Sequence, residues 1–562
     1  MLNIKSRILE GVNLYSKNTL VFIRVEDSFK EMYKILQEYR KLDKILKLDS
    51  EIRIKDTGDI LEILISSEDV NICSFIIEAL VRDEAVEDII QEIKKRKDLD
   101  WSYKLRELSL REEIPYMKID ENEVQLGYGI NLLRINKHDY VEVYSENDEE
   151  IIEKVKKNNK GIIPIISVSG TNGKTTTVRL IHNILLSLGY KSGLSSTGGI
   201  YIGKKVIKHG DTTGFYSARE VLKDKTVDAA VLETARGGIL KKGLGYKKAK
   251  VAIITSISED HIGMENINSI NDLVDIKAVI ADELADDGII VIKAIPILID
   301  KFKDRENVIL FDDSKSELID AHIKSGGKAF YVKDSYIVEN ENGIEKEIVN
   351  IKEIPFTFNG ISKSNVRNII AAIIATAYIS NNLDKVVDCV KNLKCDIYTN
   401  LGRQNIIKFD GFNMIIDYGH NSESFNEVFS IAKSLAKKNI IGVITAPGDR
   451  KDTHIKELGQ IAAKFCDSII IKEQPDLRGR SVGETAELLR LGALKEGFDD
   501  KKIKVILGEE EAILESLNDA KEGDIIVSFS QFLYLTIPVI NAFRKERDMN
   551  IIGENLDLCH KS

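Results

Sequence analysis

Between Thr19 and Glu26 the run TLVFIRVE is apolar at most positions, which predicts a strand, and the KEMYKILQEYRKLDKIL that follows repeats its apolar residues at helical spacing. Ile60–Ser66 predicts another strand and about Val70–Lys97 another helix, so this part reads as a small α+β unit. Ile114–Tyr144 alternates strand-like pieces around a glycine turn at Gly127–Gly129. Ser145–Lys160 is polar throughout and reads as a linker or an exposed helix.

The pattern then changes. IIPIISVS reads as a buried strand, followed by a glycine turn and the helix TTTVRLIHNILLSLG; buried runs such as DAAVLE and KVAIITSI come next, each followed by helical periodicity. Continuous apolar strands alternating with helices predict a mostly parallel sheet covered on both faces. A second section of this kind starts near Leu401, with MIIDYG, NIIGVITAPG, SIIIKE and DIIVSFS as its strands. Repeats at solenoid periods and low-complexity segments do not occur.

Composition narrows the class. With 562 residues, 43% apolar, 30% charged and seven prolines, the chain is a folded multidomain protein and not a disordered or fibrous one. Lys and Arg number 80 against 90 Asp and Glu, a formal charge of -10, which argues against nucleic acid as a partner of the whole chain. Any phosphate site must be local. The cysteines Cys73, Cys389, Cys395, Cys466 and Cys559 form no C-x-x-C pair, which argues against a zinc site or disulfide framework and fits a reducing cytoplasm. Lys5, Arg7 and Glu10 interrupt the first apolar residues, so no signal peptide is expected, and no uncharged run is long enough to span a membrane.

The sharpest chemical signal is Ser169-Gly170-Thr171-Asn172-Gly173-Lys174-Thr175-Thr176, placed where a strand ends and a helix begins. Backbone N–H groups and the helix dipole there can hold phosphate oxygens, Lys174 can neutralise them, and the Thr175 hydroxyl can reach Mg²⁺. Val168 stands where the long P-loop pattern has its first glycine, so the motif present is the shorter G-T-N-G-K-T. By itself it leaves kinase, GTPase, ligase and motor open.

GTNGKTT in this position resembles the Mur ligases, ATP-dependent enzymes that join a carboxylate to an amine. Val231–Leu240 (VLETARGGIL), Gly243–Tyr246, Gly210–Gly214 (GDTTG), Gly448–Asp452 (GDRKD) and Arg478-Gly479-Arg480 with Gly483-Glu484 are similar to the Mur-type half of the cyanophycin synthetases, a match recurring over most of residues 161–545. The resemblance implies an α/β fold in three parts: a small α+β N-terminal domain (1–160), a P-loop parallel-sheet central domain (161–400) and a Rossmann-like C-terminal domain (401–562). It also implies ATP and Mg²⁺. Glu233 ends a buried strand, where a carboxylate can coordinate Mg²⁺, and His261 lies in a segment, Ser256–His261, whose histidine binds a second Mg²⁺ in the family. Lys277 aligns with a lysine that many members carbamylate, with an ordinary surface lysine as the other reading. Asn365 and Asn368 resemble an asparagine pair beside the nucleotide base, although Ser364 replaces the usual histidine. Arg403 and Asp417 resemble the residues that reach the phosphates and the ribose, although Gly419 and Ser422 replace the usual alanine and proline.

The same resemblance assigns the substrates to Asp211, Thr213, Arg236, His420, Asp449 and Arg450. Asp476, Arg478, Arg480 and Glu484 make a charged loop that can grip an amino acid's carboxylate or can simply be solvated. Arg7–Asn13 and Ile114–Gly129 are similar to the first domain of cyanophycin synthetase, but only Ser145–Lys160 separates them from the P-loop section, which leaves no room there for that family's ATP-grasp domain. Gly198 stands where the family has an aspartate. The expected function is an ATP-dependent acid–amino-acid ligase working through an acyl phosphate, with Lys174, Glu233, His261 and Lys277 catalytic. A non-catalytic ATP-binding scaffold or regulator and a P-loop kinase are the rivals. The expected partners are an amino acid and a carboxylate acceptor, with no nucleic acid and no membrane; a homo-oligomer is left open.

Overall fold

The computed structural model describes residues 4–140, 148–258, 267 and 269–553. They fold as two compact units, one drawn from Met1–Gly170, Leu185–Ile257 and Ser269–Val308, the other from Thr171–Ile184, Ser258–Asn268 and Ile309–Ser562.

The first unit begins with an antiparallel sheet of β1 (Ile4–Leu9), β2 (Leu20–Val25), β3 (Glu51–Asp56) and β4 (Leu61–Ser66) in the order β1-β2-β4-β3. Alternation sends Val21, Ile23, Val25, Ile63 and Ile65 to one face, where they meet Met32 and Leu36 of helix Phe29–Leu46 and Ile76 of helix Val70–Val81. The single helix predicted over Val70–Lys97 is two, Val70–Val81 and Val86–Leu99, with a turn at Asp83, whose φ is 62°. Arg82, Asp83 and Glu84 offer nothing to bury, so the helix ends with its apolar face. Helix Tyr103–Arg111, which the periodicity did not reveal, leads into a small sheet of β5 (Tyr116–Lys118), β6 (Glu123–Leu126) and β7 (Leu133–Asn136). Asp148–Lys157 is a helix that buries Ile151, Ile152 and Val155.

The rest of this unit is built on β8 (Ile165–Ser169), β9 (Ser192–Ser196), β10 (Gly199–Ile202), β11 (Lys205–His209), β12 (Ala229–Glu233), β13 (Ala249–Ile254) and β14 (Leu284–Lys293), neighbours in the order β11-β10-β9-β12-β8-β13-β14. From β9 to β14 the pairs are parallel, while β10 and β11 form an antiparallel hairpin at the margin. β8, β9 and β12 are buried at every position, which is why β8 and β12 read as mostly apolar runs without alternating charges.

The N-terminal sheet is tied to this body by its backbone. Glu10 and Gly11 N–H donate to the Lys242 carbonyl at 2.9 and 3.1 Å, and Leu244 N–H donates to Val12 at 2.8 Å. Gly11 is required, because a Cβ there would lie 1.8 Å from the Leu244 carbonyl oxygen.

The second unit holds β15 (Val308–Phe311), β16 (Lys328–Lys333), β17 (Tyr336–Glu341) and β18 (Ile344–Asn350), in which a parallel pair runs on into antiparallel hairpins. It also holds a sheet of β19 (Asn405–Lys408), β20 (Asn413–Asp417), β21 (Ile440–Ile444), β22 (Ser468–Ile471), β23 (Ile503–Val505) and β24 (Ile525–Phe529), ordered β19-β20-β24-β21-β22-β23 and parallel except for β19. Ile415, Ile444, Ile471 and Phe529 face one core, and Met414, Val443, Ile470 and Ile526 face the other. The α/β class expected from the sequence is therefore the observed one. No helix among the described residues is long and apolar enough to cross a membrane.

Gly11→Ala is expected to destabilise the chain by about 1–3 kcal/mol through overpacking. Chemical denaturation of the two proteins measures this, and an unchanged midpoint would show that the junction yields freely.

Candidate active site

In the first unit the site is built on the ends of three neighbouring parallel strands. The Ser169 carbonyl, closing β8, accepts from Thr255 N–H at 3.0 Å and Thr255 Oγ1 at 3.2 Å, while Ser169 Oγ donates to the Thr234 carbonyl at 2.9 Å. The end of β8 is thus fastened to the segments leaving β13 and β12. Gly170 has φ +143°, and a Cβ there would lie 2.1 Å from Thr255 Oγ1, so only glycine fits this turn.

Glu233 is the last residue of β12, in register with Val168, and is buried. Thr197 N–H and Oγ1 donate to its Oε2 at 3.0 and 3.2 Å, which fixes the carboxylate's orientation. Thr212 Oγ1 donates to the Ser196 carbonyl at 2.7 Å, and Asp211 Oδ1 accepts from Thr213 N–H and Oγ1. Ala235 N–H donates to the Thr213 carbonyl and begins the helix Arg236–Lys242. Asp211, Thr213, Glu233 and Arg236 are therefore gathered at one sheet edge. Lys277 is buried on helix Ile270–Ala278, whose Ser269 and Asp272 form a capping box. His261 lies outside the described residues.

In the second unit Lys174 Nζ donates to the Thr171 carbonyl at 2.9 Å, and Thr171 Oγ1 accepts from Ser258 N–H at 3.1 Å. Asn172 donates to Glu423 at 2.5 Å and accepts from Asn421 at 2.9 Å, so the glycine loop is held by residues that follow β20. Thr177 Oγ1 donates to Asn368 at 3.2 Å, and Asn400 donates to Thr176 Oγ1 at 3.4 Å. Asn365 is buried, its amide nitrogen donating to the Phe356 carbonyl and to Gln404 Oε1.

Asp417, at the end of β20, accepts from Gln404 N–H at 2.9 Å and Gly419 N–H at 2.6 Å. Burial pushes its carboxyl up to about 6, against the opposing pull of Arg403 and those two N–H groups. The Arg403 guanidinium stacks 4.3 Å from the Tyr418 ring centroid. His420 and Arg450 line a cavity of about 300 Å³ together with Ser258, Asn421, Glu423 and His454.

The loops after β21 and β22 are laced together by one side chain. Arg480 donates from Nε to the Gly448 carbonyl at 2.7 Å, from Nη1 to Glu484 at 2.5 Å, and from Nη2 to the Arg450 carbonyl and Asp452 at 2.8 and 2.7 Å. Glu473 accepts from Gly483 and Ala486 N–H at the start of helix Glu484–Lys495. Arg478 bonds Asp449 at 2.9 Å and stays about one-third exposed.

Residues 168–376 match the Mur ligase middle domain, and residues 402–532 match the glutamate ligase domain of Mur ligases. The chain carries both Mur ligase domains. The chain is 34% identical over 386 residues to the cyanophycin synthetase of a Nostoc species, which covers 68% of the chain and 42% of that protein. It thus spans less than half the length of the cyanophycin synthetases it matches. It is 27% identical over 383 residues to the UDP-N-acetylmuramoyl-L-alanyl-D-glutamate–2,6-diaminopimelate ligase of Clostridium botulinum, covering 65% of the chain and 72% of the relative. Its fold resembles that of E. coli FolC in complex with DHPP and ADP, with a TM-score of 0.50 and 18% identity over 68% of this chain and 89% of the other.

Four residues of the candidate site carry no signal that the sequence analysis used. Thr197 follows β9 as a polar residue at a strand end, which is a usable signal. Gln404 joins Asn365 and Asp417, and Glu473 caps a helix from a distance; neither carries a local pattern. Gln474 is buried with neither amide atom bonded to another described residue, a property only the fold reveals.

Because the folded-state value of Asp417 lies above the ordinary 3.8, its contribution to stability is full below the ordinary value and is lost as pH rises through about 6. The stability of the native chain relative to Asp417→Asn should therefore fall by roughly 2–3 kcal/mol between pH 4 and 7, as read from paired denaturation series. Arg480→Met should cost about 1–3 kcal/mol and raise hydrogen exchange in the peptide spanning 476–484, leaving β22 protected. Unchanged exchange there would show that the loop is held by other contacts.

Proposed function

We propose that this protein is an ATP-dependent amide ligase that joins an amino acid to a carboxylate acceptor through an acyl phosphate, releasing ADP and phosphate. The observation that carries this reading is the pairing, on adjacent parallel strands, of the β8 end at Ser169-Gly170, where the GTNGKTT motif begins, with the buried, Thr197-oriented Glu233 closing β12, in a chain that also has the glutamate ligase domain.

An acceptor carboxylate oxygen attacks the γ-phosphorus of ATP, and the bond to the ADP oxygen breaks. The loop N–H groups and Lys174 take up the charge that builds on the phosphoryl oxygens. The amine nitrogen then attacks the acyl carbon, phosphate leaves, and the nitrogen loses its proton. Activation is needed because a carboxylate is a poor electrophile, and exclusion of water is needed because hydrolysis competes with the amine.

The Thr175 hydroxyl and Glu233 carboxylate are hard oxygen donors that suit Mg²⁺, and the family resemblance adds His261 as a further ligand and Lys277 as a residue to be carbamylated. When bound, the ion supplies positive charge beside the phosphates. Gly170, Thr171, Asn172, Gly173 and Thr176 shape the phosphate cradle, with Asn365, Asn368, Arg403 and Asp417 serving the rest of the nucleotide. Asp211, Thr213 and Arg236 face the acceptor. His420, Asp449, Arg450, Arg478 and Gln474 receive the amino acid, arginine or a chemically similar one, while Arg480 and Glu484 hold the loop that presents them. The acceptor is an aspartyl or glutamyl side chain of a peptide, and the setting is the cytoplasm.

The test is ADP release and product mass with ATP, Mg²⁺, a panel of aspartyl and glutamyl peptides, and each amino acid in turn. ADP should form only when acceptor and amine are both present, the product being heavier by the amine less water. Lys174→Ala should lower the rate at least a hundredfold. A phosphorylated acceptor without amine would identify a kinase, and tight ATP binding without turnover a scaffold.

A further inference from the structure

The chain has ten more acidic than basic residues, yet residues 154–210 contain no aspartate or glutamate at all. Lys174 and Arg179 of this stretch belong to the phosphate loop and its helix. The nucleotide does not explain the lysines farther along, Lys191, Lys204, Lys205 and Lys208. They gather on the β10–β11 hairpin: Lys204 is in its turn, Lys205 and Lys208 are on β11, and Lys191 Nζ lies 3.3 Å from where a Cβ of Gly203 in the same turn would stand. None of the four is ion-paired to a carboxylate among the described residues, although many other surface lysines of this protein are.

β11 also ends the sheet order, hydrogen-bonded to β10 alone with a bulge at Ile207, so among the described residues one side of its backbone has no strand beside it. Lys205, Ile207 and Lys208 are exposed. Lysines on a free edge normally repel further strands, and here they admit one class of partner, a strand whose own side chains are acidic. The edge has a direction as well. From Lys205 it climbs to His209 and passes straight into Gly210–Thr213, where Thr212 closes onto Ser196 beside the Thr197–Glu233 pair.

We propose that the free edge of β11 is a docking track for an extended polypeptide rich in aspartate or glutamate, which adds to the sheet as a further strand and is led toward Asp211 and Thr213. This rests on the ligase reading, of which it names the acceptor's form: a polymer held along about 17 Å of strand, not a single small acid. Backbone pairing supplies register, and the lysines supply charge selection.

The experiment is fluorescence anisotropy of labelled poly-L-glutamate of about twenty residues with the full chain. Lys204→Glu/Lys205→Glu/Lys208→Glu should weaken binding at least about tenfold, and wild-type affinity should fall steeply with salt. Ile207→Pro removes the N–H of the bulged residue of β11 without touching charge and should weaken binding several-fold. Polyphosphate of equal charge has no amides to pair and should be insensitive to Ile207→Pro. An unchanged melting temperature and unchanged binding of a fluorescent ATP analogue show that the variants are folded.

Full affinity in the charge-reversed chain would overturn the track, and loss there with Ile207→Pro unaffected would overturn strand addition. The two readings separate cleanly. Amine-dependent ADP release with a small acid, without polyglutamate binding, leaves the ligase standing and sinks the track. Edge-dependent polymer binding without amide formation from any amine does the reverse.

Discussion

The last carbonyl of β8 carries more of this architecture than any other single group. It takes two hydrogen bonds from Thr255 while the Ser169 hydroxyl reaches across to Thr234, so three strand ends are locked at the level where the glycine turn begins. A turn fastened in this way does not have to be organised by its ligand, and the entropy of ordering it is met during folding. The same lock fixes the register of β12 against β8 and hence the depth of Glu233. Thr197 then sets the carboxylate's angle. The chemistry proposed for the site asks for a rigid cradle and a rigid carboxylate, and both derive from one strand end.

The second unit solves a different problem, that of holding loops which must present charge without collapsing onto it. Arg480 spends its guanidinium on two carbonyls and two carboxylates, and Glu473 spends both oxygens on helix N–H groups. Below them Lys472 and Glu509 form a buried ion pair, with Ser530 and Thr536 donating to the glutamate. Breaking such a pair from one side would strand a charge in the interior, so the strand end beneath the loop is strongly constrained.

What could be read from the sequence follows from locality. The parallel strands were legible because burial on both faces leaves short unbroken apolar runs, as in AAVL of β12 and III of β22. The phosphate turn was legible because glycine at position 170 answers a demand of the backbone itself, its φ of +143°. The break at Asp83 was not, since helical periodicity continues on both sides of it, and neither was the β16–β18 hairpin region, whose strands carry many charges. Arg480 shows where the reading of side chains stops: its motif announces a cation near a substrate, but its four bonds go to Gly448, Arg450, Asp452 and Glu484, partners up to 32 residues away. Gln404 and Glu473 were silent for the same reason.

The loop after β22 is stapled at both ends, by Glu473 where it starts and by Arg480 and Glu484 where it finishes, while Asp476 between the staples is exposed and Arg478 is about one-third exposed. Such a segment behaves as a cassette. Its middle residues can be exchanged with little effect on the sheet below, because the staples and not the tip hold its shape. Divergence in substrate choice within this architecture therefore has a low-cost route, confined to a few positions and uncoupled from the stability of the fold.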